Sequence, residues 1–159
     1  MKRIALGLFL FFIFFSFFQI WRTRRNLNLA KEKFALGEEL SQKRDYLNAN
    51  LAFMEVLKRA PRAPFAPQAR YRLATNYIGL TAYDQAIKEY ERLARDYPQH
   101  PKAEDALFMV GMVWKNCIRN GPEARAAFER YLQFYPNGRL AGEVKMYLQE
   151  MKRKRVDSR

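Results

Sequence analysis

Residues 74–98 read ATNYIGLTAYDQAIKEYERLARDYP, and this stretch decides the fold. Leu73, Tyr77 and Leu80 lie at spacings of four and three, as do Ala86, Tyr90 and Leu93. Such spacings put side chains on one buried face of an α-helix. The stretch therefore predicts two consecutive helices. Pro98 closes the second, because proline lacks an N–H and disfavours helical geometry in the residue before it.

The same order recurs on both sides. Pro61, Pro98 and Pro136 stand 37 and 38 residues apart. Twelve residues before each proline comes Ala49, Ala86 or Ala124, and eight before comes Phe53, Tyr90 or Phe128. Five before comes Val56, Leu93 or Tyr131. Farther upstream Gly37, Ala74 and Gly111 recur every 37 residues, each followed three positions later by Leu40, Tyr77 or Trp114. The small residues let antiparallel helices approach closely, and the aromatics fill the space between hairpins. The one-residue slip is assigned to the loop Arg119-Asn120-Gly121-Pro122, where an insertion is cheap. Helices are expected at about 26–43, 46–59, 66–80, 84–96, 102–118, 122–134 and 139–153. The last is a solvating helix of the kind repeat stacks need, with Lys145, Glu150, Lys152 and Arg153 on its outer face.

This small, aromatic, small, aromatic, proline order resembles the tetratricopeptide repeat over about residues 28–150. Lys33, Arg70 and Leu107 stand where the family usually has an early Trp, and the extra length falls just after each proline. Tyr97-Pro98-x-x-Pro101-x-Ala103-x-x-Ala106, echoed by Tyr135-Pro136, is similar to a subclass in bacterial envelope proteins. That subclass includes outer-membrane assembly lipoproteins of the BamD type and the Tol-Pal coordinator type. The resemblance implies an all-α protein, a right-handed α-α superhelix of three helical hairpins and a capping helix. It also implies a concave groove lined by the first helix of each hairpin. The groove positions carried over are Lys31, Phe34, Glu38 and Ser41, then Gln68, Tyr71, Thr75 and Ile78, then Asp105, Phe108, Met112 and Lys115. Phe34, Tyr71 and Phe108 recur every 37 residues. They read either as core packing or as an apolar strip that takes a peptide or helix from a partner.

Ile4 to Trp21, IALGLFLFFIFFSFFQIW, is uncharged for 18 residues and holds seven of the 13 Phe. As a helix it would measure roughly 27 Å, near the thickness of a bilayer core. The expected organisation is a membrane anchor at 1–25, a repeat domain at 26–153 and a basic tail at 154–159. Trp21, Arg22, Arg24 and Arg25 take the membrane-interface positions. The run is longer than a cleaved signal's apolar region, and no small-x-small site follows it. With no cysteine after the run, a lipoprotein anchor is excluded in this reading. Arg22, Arg24, Arg25, Lys31 and Lys33 favour a cytoplasmic domain, whereas a Met-Lys-Arg start favours export. The charges leave both orientations open; the envelope resemblance favours the periplasmic side of a bacterial inner membrane.

The net charge of +13 divides as +6 over residues 1–31, +3 over 32–138 and +4 over 139–159. A nucleic-acid module more often carries its charge on the folded face, so nucleic acid is not expected as a partner. The Lys152–Arg155 run reads as a solvated tail. His100, between two prolines, reads as a solvated loop side chain, and Cys117 as a small core residue. No phosphate loop, metal spacing or nucleophile triad is present, so neither enzymatic activity, cofactor, metal nor small-molecule substrate is expected. The expected role is a membrane-anchored scaffold binding other proteins. The alternative is an accessory subunit of a large membrane complex, its apolar helix packed against partner helices.

Overall fold

The computed structural model describes the backbone of residues 2–157 and the side chains of residues 12–153. Seven helices follow one another: α1 (Lys2–Gln42), α2 (Tyr46–Arg59), α3 (Ala66–Gly79), α4 (Tyr83–Asp96), α5 (Pro101–Met112), α6 (Gly121–Phe134) and α7 (Ala141–Asp157). Each packs on the next, so α1/α2, α3/α4 and α5/α6 form three stacked hairpins and α7 covers α6. There is no strand among the described residues, and the chain is an all-helical solenoid.

The small residues do what their spacing predicts. A methyl group on Gly37 would lie 2.7 Å from the Phe53 ring, and one on Gly111 would lie 2.4 Å from Phe128. Both distances are inside van der Waals contact, so the second helix of the hairpin rests its ring directly on the glycine. Ala74 and Tyr90 are the middle pair, both fully buried. Three apolar clusters result. One is built on Phe53 and Val56, one on Tyr90, Leu93 and Val110, and one on Phe128, Tyr131 and Val144.

The turns inside the hairpins share one geometry. Arg44, Thr81 and Arg119 hold left-handed backbone, at φ of 60°, 57° and 60°. In the first two turns an N–H reaches back five residues, Asp45 to the Leu40 carbonyl and Ala82 to Tyr77. That is the closing bond of a Schellman cap. In the third, Asn120 reaches back six, to Trp114. The extra residue is taken up by a π-helical segment, Val113–Ile118, continuing α5. This corrects the expected place of the one-residue slip. The loop Arg119–Pro122 is no longer than its counterparts, because α2, α4 and α6 all begin two residues after the left-handed residue. A π-turn absorbs an insertion by shifting the helical hydrogen bond from i+4 to i+5.

Two further boundaries differ from expectation. The first repeat helix does not start near residue 26. It continues the apolar run as a single 41-residue helix, since Arg22, Arg24 and Arg25 are good helix formers and no Pro or Gly interrupts the segment. The last helix runs to Asp157 rather than 153. Among the described residues no helix is long and apolar enough to cross a membrane. The first eight residues of the expected span Ile4–Trp21, and the tail 154–159, lie outside the described side chains. Trp21, Arg22, Arg24 and Arg25 are exposed, with the Arg25 guanidinium 5.4 Å from the centre of the Trp21 ring.

Candidate functional site

The first helices α1, α3 and α5 touch in succession and form one face of the stack. The twelve groove positions implied by the resemblance fall on α1, α3 and α5, except Lys115, which lies in the π segment that continues α5. Lys31 and Thr75 are exposed; Phe34, Glu38, Ser41, Gln68, Tyr71, Ile78, Asp105, Phe108, Met112 and Lys115 are half-buried. None is fully buried.

The three recurring rings explain this intermediate state. Each leans on the aromatic of its own hairpin's second helix: Phe34 on Phe53 with centroids 5.9 Å apart, Tyr71 on Tyr90 at 5.4 Å, and Phe108 on Phe128 at 6.1 Å. Tilted and edge contacts at such distances suit the ring quadrupoles. Each ring has a second neighbour as well: Phe65 at 5.5 Å for Phe34, the Lys102 ammonium at 4.7 Å for Tyr71, and Tyr147 at 6.3 Å for Phe108. The rings are therefore part of the packing, and each keeps only partial exposure.

Polar groups on the face are mostly paired across neighbouring helices. Arg72 of α3 meets Glu38 of α1 at 2.8 Å. Buried Asn76 donates to the Ser41 hydroxyl at 2.8 Å. Thr75 Oγ1 lies 3.0 Å from both the Tyr71 carbonyl and the Tyr90 hydroxyl. Lys102 Nζ sits 4.7 Å from the centre of Tyr71 and 3.0 Å from Asp105, whose other oxygen meets Arg139. Lys115 Nζ sits 4.4 Å from the centre of Tyr147 on α7. Burial pushes the Tyr71 phenol above its usual range, with Lys102 opposing. These are positioned rings and charge pairs. Among the described residues no group of three or more His, Cys, Asp or Glu could hold a metal ion.

Arg70 occupies one of the positions where an early Trp was missed. It pairs with buried Glu89 at 2.7 Å and lies 5.9 Å from the centre of Tyr97. The second hairpin thus substitutes a buried ion pair for an apolar plug. The third uses Leu107, 4% exposed.

Several positioning residues escaped the sequence reading. Tyr97 donates its hydroxyl to the Pro61 carbonyl at 2.7 Å, and Tyr135 to the Pro98 carbonyl at 3.4 Å. The tyrosines before Pro98 and Pro136 therefore clip the preceding repeat, and the repeated Tyr-Pro pair was the available signal. His100 is not simply solvated. Its Nδ1 accepts from the Lys102 N–H at 3.1 Å and caps α5. Tyr131 donates to Glu104 at 2.5 Å, and the Leu140 N–H donates to both, tying α5, α6 and α7 together. Cys117 is half-buried in the π segment.

Solved structures of similar shape are tetratricopeptide domains. The Arabidopsis OM64 TPR domain matches with a TM-score of 0.59 at 17% identity, covering 79% of this chain and 98% of that one. The Sgt2 TPR domain from Aspergillus fumigatus matches at 0.58 and 20% identity, covering 81% and 80%. The second TPR domain of human RPAP3, solved in complex with an HSP70 peptide, matches at 0.57 and 15%, covering 82% and 98%. At these identities the likeness concerns the fold. Among curated proteins, the outer membrane protein assembly factor BamD of Xylella fastidiosa is 23% identical in strain Temecula1 and 22% in strain 9a5c, over 130 residues. The chain spans 44% of the length of these relatives. The model of the family described as YfiO, outer membrane lipoprotein, matches residues 28–155, from the C-terminal part of α1 through α6 and most of α7; with its stacked repeats, Tyr-Pro clips and capping helix, the chain belongs to that family.

Proposed function

We propose that the chain is a membrane-tethered scaffold that holds a segment of another envelope protein against the α1/α3/α5 face. The observation that carries this reading is the row of rings at Phe34, Tyr71 and Phe108, braced by Phe53, Tyr90 and Phe128 and still half-exposed. Rigid, partly exposed rings give contact area at little entropic cost. Glu38, Thr75, Ile78, Met112 and Lys115 would border the bound segment. The relatives named as outer membrane protein assembly factors support a protein partner in the bacterial envelope. No catalytic role is proposed.

The tether would be Ile4–Trp21, with Arg22, Arg24 and Arg25 at the headgroups and the repeats on the periplasmic side. Supporting it, Phe14 is 73% exposed, Phe17 70% and Trp21 55%, with exposed apolar residues round the whole helix. A helix apolar on every side calls for lipid or protein around it. Tethering raises the effective concentration of any partner in the same membrane, so individual contacts need not be strong.

Purification of the full chain in mild detergent tests the scaffold. A stoichiometric protein partner should copurify, and Thr75→Glu should release it while the chain keeps its helical circular dichroism. A reproducible lone monomer would sink the reading. The continuity of α1 from Lys2 to Gln42 favours one second reading, an accessory subunit whose apolar helix packs on partner helices. Replacing Ile4–Trp21 by an unrelated anchor separates the two: a scaffold keeps its partner, a subunit loses it.

A further inference from the structure

The outer edge of the first hairpin carries a second apolar surface, away from the α1/α3/α5 rings. Leu36, Leu47, Leu51 and Met54 are 39%, 67%, 60% and 45% exposed. Their neighbourhood is a copy of a site inside the molecule. A groove of about 140 Å³ between the second and third hairpins is lined by Leu107, Val110, Trp114, Glu123, Ala126 and Arg130. The repeat offset carries these six positions to Lys33, Leu36, Leu40, Asn48, Leu51 and Glu55, and those six line a groove of about 380 Å³ at the edge. The inner groove has one further wall, Glu91 of α4, which meets Arg130 at 2.8 Å. At the edge no described element takes the place of α4.

The surroundings agree. Leu47, Leu51 and Met54 correspond to Asp84, Lys88 and Glu91 in the second hairpin. Only in the first hairpin is this side of the second helix apolar throughout. Leu36 corresponds to Leu73 and Val110, which are 2% and 4% exposed under the preceding hairpin. An apolar surface of this sort on a folded protein marks a contact site.

We infer that this edge docks an amphipathic helix of a partner protein, seated as α4 is seated on α5 and α6. Its chemistry follows from α4. Ile87, Tyr90, Glu91 and Ala94 face or adjoin the third hairpin, giving apolar residues at i, i+3 and i+7 and a charge at i+4. The position of Arg130 is taken at the edge by Glu55, so the partner's i+4 residue is Lys or Arg. Glu55 is held by Arg59 at 2.7 Å and approached loosely by exposed Lys58 at 3.9 Å, and at 35% exposure its carboxylate stays within reach of a partner's cation. A second copy of the chain does not supply the helix. The faces of its α2, α4 and α6 that correspond to the seating face of α4 are already turned to α3, α5 and α7.

The test uses the full chain in detergent and two fluorescent, hydrocarbon-stapled peptides of residues 83–97, one unaltered and one with Glu91→Lys. Stapling is needed because so short a helix is marginal in water. The Glu91→Lys peptide should bind about tenfold more tightly than the unaltered one, the equivalent of about 1.4 kcal/mol. Leu51→Asp in the chain should weaken that binding about tenfold or more, whereas Met146→Asp at the opposite end should leave it unchanged. Absence of binding, or binding indifferent to Leu51→Asp, overturns the proposal. So does a concentration-dependent dimer abolished by Leu51→Asp, which would make the occupant a second copy. Quenching of a fluorophore at position 51 by nitroxide lipid in phosphatidylcholine bilayers would give the edge to the membrane instead, and equally overturns it.

Discussion

At the scale of single residues the repeats are held by substitutions that only certain side chains permit. Gly37 and Gly111 admit Phe53 and Phe128; in the middle hairpin Ala74 stands opposite Tyr90. Among the described residues Thr81 is the one β-branched side chain at positive φ, 57°. Left-handed backbone costs a non-glycine residue roughly 1–2 kcal/mol, and a glycine loses part of that gain to its freer unfolded state. Thr81→Gly should therefore raise stability by about 0.5–1 kcal/mol, read from urea denaturation. Tyr90 gives a second prediction. Burial raises its phenol pKa well above the ordinary 10.0, with the Thr75 hydrogen bond opposing. Tyr131 is raised by burial and by Glu104. The folded state thus keeps protons that the unfolded chain gives up near 10.0. Stability should hold below that pH and fall as pH rises beyond it, by at most about 1.4 kcal/mol per pH unit for each such tyrosine. Tyr90→Phe should make that alkaline slope shallower in denaturation curves taken between about pH 9 and pH 11.

At the scale of elements the most informative feature is Val113–Ile118. Asn116, exposed within it, should be removable: its deletion turns the π segment into an α-helix and restores the 37-residue spacing. Asn120 is not removable in the same way, because its side chain accepts from the Glu123 N–H and caps α6. Losing that cap costs about 1 kcal/mol, before any cost of shortening the turn. Melting temperatures of the two deletions should therefore separate, with the Asn116 deletion the more stable. The helices themselves were legible in the sequence, since prolines, small residues and aromatics mark their ends and contact faces. The π segment was not. Val-Trp-Lys-Asn-Cys-Ile has the composition of ordinary helix, while Arg119-Asn120-Gly121-Pro122 carries every turn signal, so the insertion was placed in the wrong element. The junction near residue 25 was hidden for the opposite reason. A cluster of arginines looks like a boundary, but arginine continues a helix well, and α1 runs through. On the face, spacing located Phe34, Tyr71 and Phe108 but could not tell how far each ring sinks. That depends on Phe53, Tyr90 and Phe128, which arrive from the other helix.

At the scale of the molecule, three apolar clusters are joined in line by the Tyr97–Pro61 and Tyr135–Pro98 clips and closed by the Tyr131–Glu104–Leu140 node under α7. Each hairpin contacts mainly its neighbours, so the stack can present a long face while staying small. What such a face does is decided by what lies against it. The most direct measurement is photo-crosslinking in intact cells from a benzoylphenylalanine placed at Thr75, on the α1/α3/α5 face, and from one placed at Lys88, exposed on α4. One discrete protein adduct is expected from position 75, lost when Tyr71 and Phe108 are both changed to Ala in a chain that remains folded, and none of that mass from position 88. No adduct at position 75, or the same adduct from both positions, would contradict binding on that face.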